Sequence, residues 1–351
     1  MTTLLYSLHS ANLYGTERMA LATAESLRDN FETVFFAPQG PFHAEARRRG
    51  FESQLFESPS KFVQDVRPYF HTNSMIAAVG TRVVHAVAIE LWARLYRRNC
   101  ANIHVVHGGA DEQLSYGRKH WLECFGAKQV AVSDYVKQRL VANGSSPAKV
   151  SVIENFLTRE TIEGLPKRSG VTSEIRRVAV VSRLDPIKRI DVLLDMLDVD
   201  STLRDIRFDI YGSGELEQIL RVRAKNSHPN VFFHGFRSDV GEQLASADLF
   251  LHLCPEEPFG LVVLEAMAAG LPVLVPNQGG AGAIVKDGKD GFHFQANDPW
   301  SLARKLHQLR HAPSALFSRI VEEGQRALRT RFSAECGYAQ YRELIEECWA
   351  C

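Results

Sequence analysis

Short apolar segments alternate with helix-like segments along almost the whole chain, and this alternation limits the possible folds more than any other feature. In the first half the apolar segments are residues 3–8, 33–37, 75–79, 102–106, 129–132 and 150–153. The second half resumes the rhythm at residues 177–181, 207–211, 231–234, 249–253, 273–275 and 291–294. Strands that alternate with helices form parallel sheets, because each helix returns the chain to the start of the next strand. The pattern therefore predicts an α/β fold with two doubly wound, Rossmann-like halves.

A polar segment at residues 157–174 contains few large apolar side chains and separates the two halves. The length of 351 residues also suits two domains. We predict one domain over residues 1–160, a second over residues 161–330 and a final helical segment over residues 331–351. Ligands of doubly wound sheets bind beyond the carboxyl ends of the strands, so a ligand site is expected in a crevice there.

The composition is that of an ordinary globular protein, with 45% hydrophobic and 23% charged residues. The formal net charge is +0, so the protein as a whole has no electrostatic attraction for nucleic acid. We therefore exclude nucleic acid as a partner. Arginine-rich stretches at residues 47–49 and 94–98 are either solvated helix faces or a patch for anionic lipid or a phosphorylated acceptor. The first residues resemble a strand rather than a signal peptide, and the six cysteines suit reduced thiols. We expect a cytoplasmic protein, either free or in peripheral contact with the inner membrane surface.

The segment 255–267 combines two carboxylates with a helix start. Glu257 lies in a loop, and Glu265 follows eight residues later within the predicted helix. Pro258 suits the first helical position, so the next backbone N–H groups are expected to face a ligand. These groups belong to Phe259, Gly260 and Leu261. Free N–H groups and the helix dipole favour an anion, and the carboxylates favour hydroxyl groups. A nucleotide-sugar offers both an anionic diphosphate and hydroxyl groups.

Arg183 and Lys188 lie in the loop after the strand 177–181. Two cations at the carboxyl end of a strand suit a diphosphate leaving group, since charge-assisted hydrogen bonds strengthen as charge develops.

These motifs resemble those of glycosyltransferase family 4. The Glu-x7-Glu spacing of Glu257 and Glu265 is the family's, and Ser182-Arg183-Leu184 followed by Lys188 resembles its diphosphate-binding loop. The resemblance implies a GT-B fold, with two Rossmann-like domains facing across a cleft and the C-terminal helix crossing back to the first domain. It also implies a retaining hexosyltransferase that moves sugar from a nucleoside diphosphate sugar, UDP- or GDP-linked, to an acceptor.

Other landmarks of the family are present in weaker form. Gly15 matches its glycine-rich loop, although Tyr14 replaces the first glycine, and Thr16 is expected to cap the following helix. His107 matches a crevice histidine. Gly212 and Phe236 fall in segments that resemble the family's loops around the nucleotide base. The Gly279-Gly280 turn matches a phosphate loop, but Ala283 replaces the usual glutamate.

The resemblance also implies the role of each residue. Glu257, His107, Arg183 and Lys188 are the expected catalytic residues. Donor binding is expected at Gly15, Arg183, Lys188, Gly212, Phe236, Phe259, Gly260, Leu261 and Glu265. No metal and no cofactor is expected. The acceptor is a glycan, a lipid-linked intermediate or a small molecule.

Two alternatives remain on the sequence alone. One is a non-catalytic GT-B protein that binds a sugar or a partner, which the departures at Tyr14 and Ala283 leave open. The other is a nucleotide-sugar epimerase of GT-B shape. A dehydrogenase is disfavoured because Gly-x-Gly-x-x-Gly does not follow the first strand.

Overall fold

The computed structural model describes residues 2–109, 111–170, 172, 174–237 and 239–350. These residues form two compact units. The first contains the chain up to Phe156 together with the residues from Ala334 onward, and the second runs from Leu157 to Ser333.

Each unit is built on a parallel sheet, as the alternation predicts. In the described part of the first unit the strands are β1 (Thr2–Ser7), β2 (Phe31–Ala37), β3 (Glu52–Leu55), β4 (Met75–Gly80), β5 (Asn99–Val106), β6 (Lys128–Ala131) and β7 (Val150–Val152), in the order β3-β2-β1-β4-β5-β6-β7. In the second they are β8 (Arg177–Val181), β9 (Arg207–Tyr211), β10 (Val231–Phe233), β11 (Leu249–Leu251), β12 (Val273–Pro276) and β13 (Phe292–Phe294), in the order β10-β9-β8-β11-β12-β13. Both orders are those of doubly wound Rossmann-like sheets, so the predicted fold class is confirmed.

Helices fill the connections between the strands, with short 3₁₀ turns at Lys119–Phe125, Pro147–Lys149, Pro186–Lys188 and Ser201–Leu203. The α-helices are α1 (Gly15–Ser26), α2 (Phe42–Arg48), α3 (Pro59–Thr72), α4 (Val83–Tyr96), α5 (Glu112–Ser115), α6 (Asp134–Ala142), α7 (Arg159–Gly164), α8 (Asp191–Val199), α9 (Glu217–Ser227), α10 (Val240–Ala245), α11 (Leu261–Ala268), α12 (Gly279–Ile284), α13 (Pro299–Arg310), α14 (Ser314–Thr330) and α15 (Ala334–Ala350).

The C-terminal helix α15 packs within the first unit, against α1 and β5. Trp349 anchors its end: the indole Nε1 donates to the carbonyl of Ile76 on β4 at 3.1 Å, and the Trp349 carbonyl accepts from Asn99 Nδ2 at 3.0 Å.

Strand β3 and the segment 157–174 differ from the sequence expectation. Strand β3 was not predicted, because this edge strand of the sheet has two exposed positions in four and therefore no apolar run. The described part of residues 157–174, the segment expected to separate the two halves, contains α7 and belongs to the second unit. Lys167 Nζ there donates to the carbonyls of Ile162 and Ala268, each at 2.6 Å.

Candidate functional site

Lys188 and Glu257 form an ion pair in the second unit. Lys188 ends the 3₁₀ turn after β8, and its Nζ donates to Glu257 Oε2 at 2.6 Å. Both side chains are about one-sixth exposed. Burial alone would raise the pKa of Glu257, but the charge of Lys188, with His252 nearby, holds this pKa well below its usual range. Burial opposes the charge of Lys188 as well, yet the Glu257 carboxylate raises the Lys188 pKa. Both groups are therefore charged at neutral pH.

Two further polar side chains surround the ion pair, and sequence reasoning missed both. His252 follows β11 directly, and its Nε2 lies 3.5 Å from Glu257 Oε2. Cys254 Sγ donates to the carbonyl of Ile187 at 3.1 Å. The available signal was their position, since polar residues just beyond a buried parallel strand lie at the ligand-binding edge of the sheet.

His252, Cys254 and Glu257 offer ligand atoms within 4.8 Å of one another, which raises the question of a metal ion. Cys254 Sγ donates to the Ile187 carbonyl, and burial raises the pKa of this thiol to about 12. The ammonium of Lys188 already occupies a Glu257 oxygen. Glu257 and Cys254 are thus engaged with Lys188 and with the Ile187 carbonyl, and this arrangement suits an ion pair.

The Arg183 loop is held against the loop that follows β9. Ser182 N donates to the carbonyl of Tyr211, and Leu184 N to that of Ser213, each at 3.0 Å. Gly212 lies between these contacts with φ +134°, and a Cβ there would lie 1.8 Å from the Ser182 carbonyl oxygen. The site thus requires glycine at position 212. Arg183 itself is 60% exposed and pairs with Asp185 at 2.8 Å.

Phe236 lies next to the same loops. Gly212 N donates to the carbonyl of Gly235 at 2.8 Å, which brings the residue before Phe236 against the Arg183 loop. Phe236 is 76% exposed, the highest exposed fraction among the large apolar side chains of the described second unit. An exposed aromatic ring beside a cationic loop is available to a ligand.

The helix that carries Glu265 starts later than predicted. Pro258 is not its first residue: α11 begins at Leu261, and Gly260 precedes it as the N-cap with φ +98°. The left-handed turn at Gly260 places Phe259 before the helix. There Phe259 is buried and packs edge-on against Phe332, with ring centroids 6.0 Å apart. Of the three predicted N–H groups, only that of Leu261 lies in the first turn of the helix.

The sequence Gly270-Leu271-Pro272 predicts the end of α11, and the helix ends just before it. Gly270 has φ +82°, its N–H donates to the carbonyl of Met267, and Leu271 N donates to that of Ala266. This is a Schellman motif. Glu265 lies in the second turn of the helix and is 8% exposed.

The glycine pair at the start of α12 supports the Glu257 loop. Gly280 N donates to the Glu257 carbonyl at 2.5 Å. A Cβ at Gly280 would lie 2.1 Å from the Pro258 carbonyl oxygen, and Gly279 has φ +74°. The backbone of this turn therefore fits closely against the loop that presents the Glu257 carboxylate.

The remaining candidates, Gly15 and His107, lie in the first unit. Gly15 is the first residue of α1. The expected cap, Thr16, is not used: Tyr14 is the N-cap, and its N–H donates to Glu17 Oε2 at 3.1 Å. His107 follows β5 and lines a cavity of about 550 Å³. Burial lowers the His107 pKa to about 3, so its imidazole is neutral.

Family models match both parts of the chain. The model described as glycosyl transferases group 1 matches residues 162–327, and that described as glycosyltransferase family 4 matches residues 14–160. No helix of the described residues combines the length and apolar character needed to cross a membrane.

Similar proteins give the same assignment. N-acetyl-alpha-D-glucosaminyl L-malate synthase of Bacillus anthracis is 26% identical over 78% of this chain and 74% of its own length. EpsD of Bacillus subtilis (strain 168), provisionally named a glycosyltransferase, is 33% identical over 70% of each chain. The fold matches the crystal structure of Anabaena HepE in complex with UDP and glucose, with a TM-score of 0.80 at 20% identity over 99% of this chain and 100% of that one. The chain therefore belongs to the family 4 glycosyltransferases and has their GT-B fold.

Proposed function

We propose that the protein is a retaining glycosyltransferase that transfers a sugar from a nucleoside diphosphate sugar, UDP- or GDP-linked, without a metal ion. The observation that carries this proposal is the largely buried ion pair of Lys188 and Glu257, placed between the Arg183 loop and the start of α11. It joins a cation for the diphosphate to a carboxylate for the sugar in one site.

Arg183 and Lys188 would stabilise the departing diphosphate. Lys188 remains cationic despite its burial, because Glu257 raises its pKa. Arg183 is exposed and can exchange Asp185 for a phosphate oxygen. Together the two cations would supply the charge stabilisation that a divalent ion provides in metal-dependent transferases.

Glu257 and Glu265 would act on different parts of the donor. An ionised carboxylate accepts hydrogen bonds, so Glu265 suits the ribose hydroxyls. Glu257 would contact the transferred sugar and stabilise positive charge at its anomeric carbon, where the transition state resembles an oxocarbenium ion. Phe236 would contact the base. Gly212 has no side chain, so the backbone at this position can approach the base closely. The N–H of Leu261 would meet a phosphate oxygen at the helix start.

Retention is proposed to occur by attack on the face that the diphosphate leaves. The Lys188 ammonium occupies Glu257 Oε2 at 2.6 Å, so we assign this carboxylate charge stabilisation rather than a covalent intermediate. The leaving phosphate would instead accept the proton of the acceptor hydroxyl. Neutral His107 can donate or accept a hydrogen bond to a sugar, and Gly15 would contact the donor through its backbone.

The similar proteins support the substrate classes in general terms. The crystal complex of HepE contains UDP, which supports a uridine nucleotide. The name of the Bacillus anthracis relative includes L-malate, which supports a small acceptor. A glycan or lipid-linked acceptor, handled in the cytoplasm or at the inner membrane surface, is the remaining alternative.

Melting temperature with UDP, GDP, ADP, dTDP and NAD, each with and without EDTA, tests the donor site. A ligand at 100 times its dissociation constant adds about 2.7 kcal/mol to the free energy of unfolding. The expected shift is roughly 2–4 °C per kcal/mol for domains of the size of these units. One nucleoside diphosphate should stabilise the protein despite EDTA. A response to NAD alone, or loss of the response in EDTA, contradicts the proposal.

A further inference from the structure

The cavity beside His107 has a lining suited to an anion. It lies at the carboxyl end of β5 in the first unit, with a volume of about 550 Å³. Its polar lining consists of two cations, two imidazoles and two hydroxyls: Arg82, Lys119, His9, His107, Thr81 and Ser115. No carboxylate belongs to the described lining. The cavity therefore carries excess positive charge.

The N-terminus of α4 adds to this charge. Val83 and Val84, its first two residues, line the cavity. No side chain of the described residues caps this helix at Arg82. The start of this 14-residue helix, where N–H groups lack intrahelical partners and the helix dipole is positive, therefore lies at the cavity.

Lys119 is a buried ammonium with donors to spare. It is 7% exposed, and its Nζ donates to the Leu114 carbonyl at 3.1 Å. Within the described residues this is its one hydrogen bond, so two of its three protons lack an acceptor. Burial lowers the Lys119 pKa to about 8, which leaves most of the amine protonated at pH 7. A buried cation with open donors requires an acceptor.

His107 presents a second unsatisfied group. Its Nε2 is buried and has no hydrogen-bond partner among the described residues. Glu17 is a carboxylate close enough to raise the pKa of His9 by its charge. Its two oxygens, however, accept hydrogen bonds from Ser10 Oγ and Tyr14 N. Glu17 is therefore already engaged outside the lining.

We propose that this cavity binds a doubly charged oxyanion group of the acceptor substrate, either a phosphate monoester or a dicarboxylate. The assignment of this group to the acceptor rests on the proposed transferase function. The charge of such a group matches the two cations Arg82 and Lys119. The cavity falls within the range of about 300–1,000 Å³ for ligand sites, so it has room for the rest of a small acceptor or a head group.

Titration calorimetry with inorganic phosphate and with malonate, at constant ionic strength, tests the site. The variants are Lys119→Met, which keeps the length of the side chain, and Arg82→Gln. Lys149→Gln removes an exposed cation of the first unit outside the cavity lining and is the matched control. Any anion binding in the second unit is common to all variants and cancels in the comparison.

At least one probe should bind the wild type roughly tenfold or more tightly than Lys119→Met or Arg82→Gln, since each loses a charge-assisted hydrogen bond. Lys149→Gln should match the wild type. The probe that binds more tightly identifies a phosphate or a dicarboxylate source. If circular dichroism shows that Lys119→Met does not fold, Arg82→Gln decides, because Arg82 is exposed.

Binding of neither probe, or equal binding by all variants, overturns the inference. If a nucleoside diphosphate still stabilises the protein in that case, the proposed donor site remains supported although the cavity does not bind an anion. Anion binding that needs Arg82 and Lys119, with no nucleotide response, leaves the cavity site standing and refutes the transferase function.

Discussion

Lys188 Nζ and Glu257 Oε2 lie 2.6 Å apart although their residues are 69 positions apart in the chain. One residue ends the turn after β8, and the other lies in the loop before α11. Their contact makes two separate sequence motifs into one site. A change at either residue should therefore alter both the stability of the second unit and its binding of a donor.

Lys188→Met should lower the free energy of unfolding by about 2–3 kcal/mol. Removing one partner of a buried pair usually costs roughly 3–5 kcal/mol, and the partial exposure of this pair reduces the cost. Urea denaturation monitored by circular dichroism measures the change. The double variant Lys188→Met/Glu257→Gln should recover more than half of the loss, because no unpaired charge remains. A single variant as stable as the wild type would show that the ion pair does not form.

Acid should destabilise the protein partly through Glu257. Its pKa is lower in the folded state than in the unfolded chain, so its contribution is fully present above the unfolded value of about 4.3 and is lost as the pH falls through the folded value. Urea midpoints between about pH 5 and pH 3 should therefore fall less steeply in Glu257→Gln than in the wild type. Equal slopes would mean that the Glu257 pKa is not lowered.

Gly280→Ala should disrupt the Glu257 loop. The new Cβ would lie 2.1 Å from the Pro258 carbonyl oxygen, so backbone must move. We expect a loss of about 2 kcal/mol or more in the free energy of unfolding and weaker nucleotide binding. Gly164→Ala is the control, since its Cβ would meet no atom within 4 Å. A neutral Gly280→Ala would contradict the close contact between this turn and the loop.

Phe236→Ala should weaken nucleotide binding and leave stability within about 0.5 kcal/mol of the wild type, because the ring is mostly exposed. Ile219→Ala on α9 is the control, since Ile219 is also exposed, and should change neither property. Calorimetric titration with the nucleoside diphosphate found in the melting screen measures the affinity. Unchanged affinity in Phe236→Ala would remove this residue from the donor site.

The sequence predicted the parts of the fold that depend on local pattern. The alternation of strands and helices gave both parallel sheets, and the glycine at position 270 gave the end of α11. Strand β3 was missed because a half-exposed edge strand has no apolar run.

The details of the site depend on contacts between distant segments. Pro258 was expected to begin α11, but Gly260 adopts a left-handed conformation and Phe259 packs against Phe332, which shifts the start to Leu261. The sequence spacing of Lys188 and Glu257 gave no indication that they pair. His252 could have been predicted as a site residue from the sequence, because it follows β11 just as His107 follows β5.

The most direct test of the proposed function is calorimetric titration of the nucleoside diphosphate that stabilises the protein, in EDTA, against the wild type, Lys188→Ala and Glu265→Ala. Lys149→Gln is the control. The account predicts binding by the wild type and the control, with an affinity at least about tenfold weaker in Lys188→Ala and Glu265→Ala, since each loses a charge-assisted hydrogen bond to the donor. Equal affinity in all four proteins would contradict a donor site built on Lys188 and Glu265.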